Sequence, residues 1–422
     1  MTASTIALII LLITLVLYAI PRMPLSATTL LAMSAMVIFG VVDLKTATSG
    51  FANKVLFLIA GLTVLGQSFV TTGLVDKLAI VIHKLKLDRS KKVFILSMLI
   101  IATILGVFLN GSIVVAVMLP IVDAVVLASD SKIKRKDVYW SVGLGSVYGN
   151  NLLTISATSM LTAVSLLVEM GYGEMNIFTP LLVNLPGMLA VILFYATIGI
   201  KLQDKWFDFD DVPIDVSSLV KKEGAAKPVW KQWFVGITFL VVVVLFVAGF
   251  DYGLISIVAT VAVIFSGCIS EKEAWRSVSW GTIIVVAGAI GLSTGIRDSG
   301  AGDIICNFFI SIAGPLANST LGVAVILFFV AGLLSSFMSD NATVAIMLPI
   351  AASIVEGLGL NAIPVFLAVC SGTKTGILTP ICVTPMTQVC SAGYRFKDFL
   401  RFGGILFGMY WICTSIMLAI LY

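Results

Sequence analysis

Four short polar runs interrupt an otherwise apolar chain, and their residue types suit the binding of ions better than the breaking of bonds. Two of them, Asn110-Gly111-Ser112 and Ser339-Asp340-Asn341, each sit just ahead of a long apolar stretch. A helix that starts there leaves backbone N–H groups with a partial positive charge, which suits an anion. Carbonyl and side-chain oxygens at the end of the preceding segment suit a cation. Ser, Asp and Asn are also good N-caps, and capping is compatible with ligation. The third run is Gly149-Asn150-Asn151, followed by Thr154, Ser156, Thr158 and Ser159. The fourth is Ser371-Gly372-Thr373-Lys374-Thr375-Gly376, followed by Thr379-Pro380 and Thr384-Pro385. Gly, Pro, Asn and Thr in mid-span favour unwinding. The alternative is a kinked helix whose threonines bond their own backbone. Asp340 and Lys374 are ionisable groups inside apolar segments, where charge is costly and usually functional.

The composition says what surrounds these runs. Of 422 residues, 59% are apolar and 11% charged, against roughly 25% charged in soluble proteins. The apolar residues form repeated runs of the length that crosses a bilayer, about 20 residues each. A soluble enzyme, a nucleic-acid-binding protein and a disordered chain are excluded, and the bilayer itself is the main partner. The six cysteines include no CxxC pair, and the one histidine, His83, lies in a basic stretch. With no disulfide framework, metal-ligand set, catalytic dyad or cofactor motif, the chain reads as a non-enzyme. The N-terminal run from Ile6 lacks a basic leader and a cleavage site, and reads as a retained span.

Basic segments orient the spans. Residues 77–92 and 132–136 are both rich in Lys and Arg, yet only one apolar stretch of 36 residues, 93–128, separates them. A single crossing would put them on opposite sides. A re-entrant hairpin turning at Asn110-Gly111-Ser112 returns the chain to the same side; two full spans would also do so. The same counting makes 305–357 a second hairpin with its tip at Ser339-Asp340-Asn341. It makes 138–170 and 362–392 broken helices and 201–232 a cytoplasmic linker, with both termini outside. Three matches relate residues 1–200 to residues 233–422: VVAVMLPI (114–121) with TVAIMLPI (343–350), TTGLVD (71–76) with DSGAGD (298–303), and Gly171-Tyr172 with Gly393-Tyr394. Each half holds five crossings and one hairpin. Because five is odd, the second half enters upside down. The fold class is an all-α polytopic membrane protein, an inverted-topology repeat with two re-entrant hairpins and two broken helices, an organisation found in secondary transporters.

Three stretches carry a resemblance: GFANKVLFLIAGLTVLGQSFVTTGLVDKLA from Gly50, SDNATVAIMLP from Ser339, and TPMTQVCSAGYRFKDFLRFG from Thr384. They are similar to the divalent anion/sodium symporter family of the ion transporter superfamily, and the likeness extends over nearly the whole chain. The resemblance implies a homodimer, an elevator-type motion of a transport domain against a scaffold, and one anion site per protomer. It places substrate contacts at Asn110, Gly111, Ser112, Thr158, Ser159, Asp340, Asn341, Thr384 and Pro385; Lys374, a departure from the family's pattern, adds a cation within the second broken helix and joins them as a candidate contact. Two flanking sodium sites fall on Asn110, Gly111 and Ala157 in the first half, and on Ser339, Asp340 and Val383 in the second. The family's hairpin signature, Ser-Asn-Thr, is intact in neither half: Gly111 stands at its centre in the first tip and Asp340 in the second. Two roles for the ionisable residues stay open. Asp340 either strengthens a sodium site or carries a proton while Lys374 meets the anion, or the two form a pair in which the lysine replaces a sodium; set against both is a buried pair with no part in coupling.

The implied function is secondary transport of a small divalent anion across a bacterial inner membrane, by sodium symport or by exchange. C4-dicarboxylates lead, followed by sulfate and citrate. A cation/proton antiporter of the same superfamily and an anion channel are the alternatives.

Overall fold

The computed structural model describes residues 2–20, 23–74, 90–128, 133–173, 175–213, 228–380 and 383–422. Asp76, the basic residues from Lys77 to Arg89, Glu174 and the middle of the linker lie outside these residues. Every described regular element is a helix. In the first half these are α1 (Ala3–Ala19), α2 (Leu25–Ile38), α3 (Lys54–Thr71), α4 (Lys91–Phe108), α5 (Gly111–Ala128), α6 (Arg135–Gly149), α7 (Thr158–Glu169) and α8 (Thr179–Phe194). In the second half they are α9 (Val229–Val247), α10 (Tyr252–Phe265), α11 (Trp280–Asp298), α12 (Ala301–Ala313), α13 (Thr320–Ser335), α14 (Asp340–Leu358), α15 (Ala362–Thr375), α16 (Thr384–Val389) and α17 (Gly404–Leu421). Among the described residues, eight helices are long and apolar enough to cross a membrane. Large apolar side chains such as Leu12, Leu182, Leu193, Leu240 and Ile416 stand exposed on the exterior. On this scale such a surface is stable against lipid, not water.

Polar caps set where the helices begin. Asn53, Ser90, Asp251, Ser319, Ser339 and Asn361 each accept a backbone N–H from the first turn of the helix that follows, which satisfies a donor that lipid would leave bare. The reversal between α4 and α5 can be traced through side chains. Lys91, at the start of α4, lies 3.0 Å from Asp137, and Asp123, near the end of α5, lies 2.8 Å from Arg135. Both outer ends of the hairpin thus meet the start of α6, and the tip lies at the other end of the pair. In the second half, α13 and α14 form the corresponding hairpin. The expected hairpin over 305–357 is too long at its front. Gly314-Pro315 ends α12 as a separate helix, and the arms run from Thr320 and to Leu358. Both expected broken helices are interrupted, α6 from α7 and α15 from α16.

The two halves repeat the same devices. Gly73 and Gly300 have φ of 75° and 74°, and Gly171 and Gly393 have φ of 78° and 98°; only a residue without Cβ enters this left-handed region freely. The first arm of each hairpin presses on the first part of its broken helix through glycines. A Cβ at Gly145 would lie 2.5 Å from the Leu99 carbonyl oxygen, and one at Gly149 2.2 Å from that of Thr103. In the second half, a Cβ at Gly372 would lie 2.3 Å from the Phe328 carbonyl oxygen, and one at Gly376 2.6 Å from that of Gly332. These are two GxxxG crossings at the same offset, the small-residue packing that lets membrane helices touch backbone to backbone.

Two apolar bodies result. One gathers α4–α8 with α13–α17. The other gathers α3, α9, α10 and part of α11, extended by α1 and α2 against α11. The expected linker is shorter than 201–232, because helix continues to Trp206 and α9 resumes at Val229. Residues 207–211 are fastened to the first body: Asp211 accepts the Arg135 and Lys136 N–H groups, and Lys397 bonds Asp208 at 2.9 Å, holding that carboxyl below its ordinary range. The Tyr394 hydroxyl is inserted into the first turn of α6, accepting the Trp140 N–H and donating to the Lys136 carbonyl.

The crossings carry a measurable cost. Gly372→Ala is expected to destabilise the protein by about 1–3 kcal/mol through overpacking. Gly408→Ala, inside α17 with nothing within 4 Å of the added Cβ, is expected to hold or raise the melting temperature in detergent, since Ala is the better helix former. Equal melting of the two variants would contradict the crossing.

Candidate functional site

The hairpin tips and the helix breaks meet. At the first tip, the Asn110 side-chain oxygen accepts the Ser112 N–H at 3.0 Å. Asn150, the C-cap of α6 at the break, reaches the same tip. Its Oδ1 accepts the Gly111 N–H at 3.0 Å, and its Nδ2 donates to the carbonyls of Gly106 and Leu109. A Cβ at Gly111 would lie 2.9 Å from Pro385 and 3.1 Å from Asn150 Oδ1. Gly111 is therefore what the site allows there, with Asn150 and Pro385 filling the space of a side chain. Ser156 fastens the break loop by donating to the Val107 carbonyl at 2.5 Å.

The second tip is tied in the same manner by different groups. Ser339 Oγ accepts the Ala342 N–H, and Asp340 Oδ1 accepts the Asn341 N–H at 3.1 Å. Lys374 Nζ donates to Asp340 Oδ2. Ser335 donates to the Thr373 carbonyl at 2.6 Å, and Thr379 donates to that of Ser336. The halves then exchange their short segments. Helix α16 packs on α5 and α6, and α7 packs on α14 and α15. Thr158, at the start of α7, donates to Asn341 Oδ1 at 2.8 Å.

Between these groups lies a cavity of about 110 Å³ lined by polar residues. Drug-sized pockets occupy roughly 300–1,000 Å³, so this one suits a small polar solute. Asn110, Gly111, Ser112, Ala157, Thr158, Asp340, Asn341, Lys374, Val383, Thr384 and Pro385 all line it. Two expected residues do not. Ser159 is buried one position round from Thr158, its carbonyl accepting the Cys370 thiol at 3.3 Å; neighbouring helix positions do not share a face. Ser339 is spent as the cap of α14. Val147, Asn150 and Ser156 line the cavity and were not among the expected site residues. Val147 is the counterpart of Lys374 under the 227-residue offset of the two GxxxG pairs, and that offset was the signal for its place.

The source of positive potential also differs from expectation. The Gly111, Ser112, Asn341 and Ala342 amides of the tips are occupied by the caps just described and are not left for an anion. The free donors are side chains and one helix end. The side-chain hydroxyls of Ser112 and Thr384 make no hydrogen bond among the described residues, and the Asn341 side-chain nitrogen is left to the cavity. The start of α7 has no side-chain cap, so the positive end of its dipole meets the cavity at Ala157 and Thr158. Lys374 is 8% exposed and, with Asp340, supplies the only charges among the described residues of the lining. Removing one partner of such a pair costs about 3–5 kcal/mol.

The candidate sodium ligands are engaged with the helices they begin. A hard cation needs several oxygens. The Asn110 carbonyl accepts the Ile113 and Val114 N–H groups, that of Ala157 the Leu161 N–H, that of Ser339 the Thr343 N–H, and that of Val383 those of Met386 and Thr387. Asp340 is held by Lys374 and its own tip.

A polar cavity between two tips and two helix breaks, inside an all-helical membrane protein, is an arrangement found in transporters. The chain belongs to the citrate transporter family, whose profile matches residues 8–372. It is 23% identical over 386 residues to an uncharacterized transporter of Haemophilus influenzae, covering 87% of this chain and 80% of that protein. It is 32% identical over 188 residues to an uncharacterized transporter of Synechocystis, covering 43% of this chain and 30% of the relative. With sodium/sulfate cotransporter 2 of Chlamydomonas reinhardtii it shares 27% identity over 150 residues, covering 35% of this chain and 17% of the relative. The chain thus spans under a third of the Synechocystis and Chlamydomonas proteins. In fold it is similar to the YdaH transporter of Alcanivorax borkumensis, with a TM-score of 0.61, 13% identity and coverage of 99% and 97% of the two chains. MtrF of Neisseria gonorrhoeae gives a TM-score of 0.59 at 12% identity, with coverage of 100% and 95%.

Asn150 is expected to hold the first tip closed. Asn150→Ala leaves one N–H and two carbonyls unpaired, at about 1–3 kcal/mol for each that stays buried. Amide exchange at Gly111 and Ser112 is expected to rise in that variant; unchanged exchange would contradict the clamp.

Proposed function

We propose that this transporter is a secondary active carrier of small divalent anions. C4-dicarboxylates come first, and citrate and sulfate are the other candidate substrates. The observation that carries the reading is the convergence of donors on one small cavity: the Ser112 and Thr384 hydroxyls, the Asn341 amide, the Lys374 ammonium and the uncapped start of α7. A carboxylate or sulfate oxygen is an acceptor only, and it matches such a lining. The family's name and the sulfate relatives support an anion as cargo.

The proposed mechanism is alternating access. The body made of hairpins and broken helices carries the anion past the body formed by α1–α3 and α9–α11. The separation of the two apolar cores supports an elevator-type motion of this kind. Each tip is bonded to its own half's break and touches the other half's short helix, so the cavity moves as a unit. Homodimerisation through the second body and residence in a bacterial inner membrane complete the proposal.

Transport of labelled succinate, citrate and sulfate into proteoliposomes tests it. Asn341→Ala and Thr384→Ala are each expected to slow uptake about tenfold or more, since a hydrogen bond to a charged group contributes about 1.5–3 kcal/mol. Both variants are expected to purify as folded protein. Normal uptake by both would remove the site assignment. Large currents without counterflow would replace the carrier with a channel.

A further inference from the structure

We infer that this carrier has replaced its coupling cations with side-chain nitrogens, Lys374 Nζ at the second tip and Asn150 Nδ2 at the first, and therefore moves its anion without sodium. The inference rests on the anion-carrier reading for its cargo, but not for its test. Two independent observations carry it.

At the second tip, the position a cation would take beside Asp340 is held by an ammonium. Asp340 Oδ2 accepts from Lys374 and Oδ1 from the Asn341 N–H. Lys374 is buried, and its stem rises from the last turn of α15, fixed by the Gly372 and Gly376 crossing. A fixed positive charge at a carboxylate excludes a second cation by direct repulsion, which is strong where water is scarce. At the first tip, the carbonyls of Gly106 and Leu109 close α4 at the negative end of its dipole, where a positive group is favoured. Both accept from Asn150 Nδ2. The same amide turns its oxygen to the Gly111 N–H, so it cannot be reversed to offer an oxygen to a metal without losing all three bonds. A side chain at position 111 that could contribute an oxygen is barred by Pro385 and Asn150.

The two nitrogens do not occupy equivalent positions. Under the 227-residue offset, Asn150 corresponds to Ile377 and Lys374 to Val147. Each half has thus reached the same outcome with a different residue, the amide supplying partial charge and the ammonium a full one. With Asp340 and Lys374 paired and Asn150 uncharged, the unloaded site is neutral, and a dianion bound without sodium carries its own charge uncompensated. Exchange of one dianion for another cancels that charge movement, which favours obligatory exchange.

The test compares wild type with Lys374→Ser and Lys374→Arg, each in sodium and in choline chloride at equal ionic strength. Melting temperature in detergent is read first, because it needs no substrate. Wild type and Lys374→Arg are expected to show no sodium-specific shift. In Lys374→Ser the freed carboxylate and the space of the lost stem are expected to bind sodium and raise the melting temperature with sodium concentration, as ligand linkage requires. Counterflow of labelled succinate is read second: sodium and choline are expected to give equal rates in wild type. A sodium-specific stabilisation of wild type, or at least about tenfold faster uptake in sodium than in choline, would overturn the inference. So would a folded Lys374→Ser protein indifferent to sodium. Failure of every anion to move, with the melting behaviour as expected, would overturn the choice of cargo and leave the cation replacement standing.

Discussion

A helix that stops inside a bilayer exposes amides and carbonyls that no lipid can satisfy. Among the described residues the chain stops in this way at two hairpin tips and two breaks, and the organisation of the first body follows from how those groups are paired. Asn150 closes the first tip, Ser339 caps the second, Ser335 and Thr379 fasten the second break, and Ser156 fastens the first. Because each tip is satisfied by its neighbouring break, the four interruptions must lie together. The polar remainder of their side chains then lines one cavity. The site is thus the by-product of a backbone constraint, and its donors are those that the caps leave over.

That division separates structural from binding polarity. Asn110, Asn150 and Ser339 spend their side chains on the backbone; Ser112, Asn341 and Thr384 do not. Asp340 and Lys374 belong to both groups, since the pair ties α15 to the second tip and also sets the charge in the cavity. An ion pair of this kind contributes little net stability compared with an apolar isostere, so its retention is better understood through what it does to the charge balance of the site.

Most of the architecture was legible in the sequence. Apolar runs of spanning length marked the helices, and the polar interruptions at Asn110, Asn150, Asp340 and Lys374 marked their breaks. The pairs Gly73/Gly300 and Gly171/Gly393 marked equivalent turns. Eleven of the expected site residues line the cavity, whereas Ser159 and Ser339 do not. What could not be read from residue types was the direction in which a side chain points. Ser159 differs from Thr158 by one step round a helix. Asn150 looked like a helix breaker and proved to be the clamp of a tip about forty residues upstream. The separate status of α12 was also missed, because its apolar residues run on into the hairpin and only Gly314-Pro315 divides them. The glycine crossings were written in the sequence as Gly145-Gly149 and Gly372-Gly376, but a spacing of this kind gains meaning only when its partner carbonyls are known.

The central claim is that the cavity between the two tips and the two breaks is where the anion sits. The most direct measurement is a structure of the protein determined with a transported anion bound at saturation. The account predicts density for the anion between Ser112, Asn341, Lys374 and Thr384, with the start of α7 facing it. Density at another place, with this cavity unchanged, would contradict it.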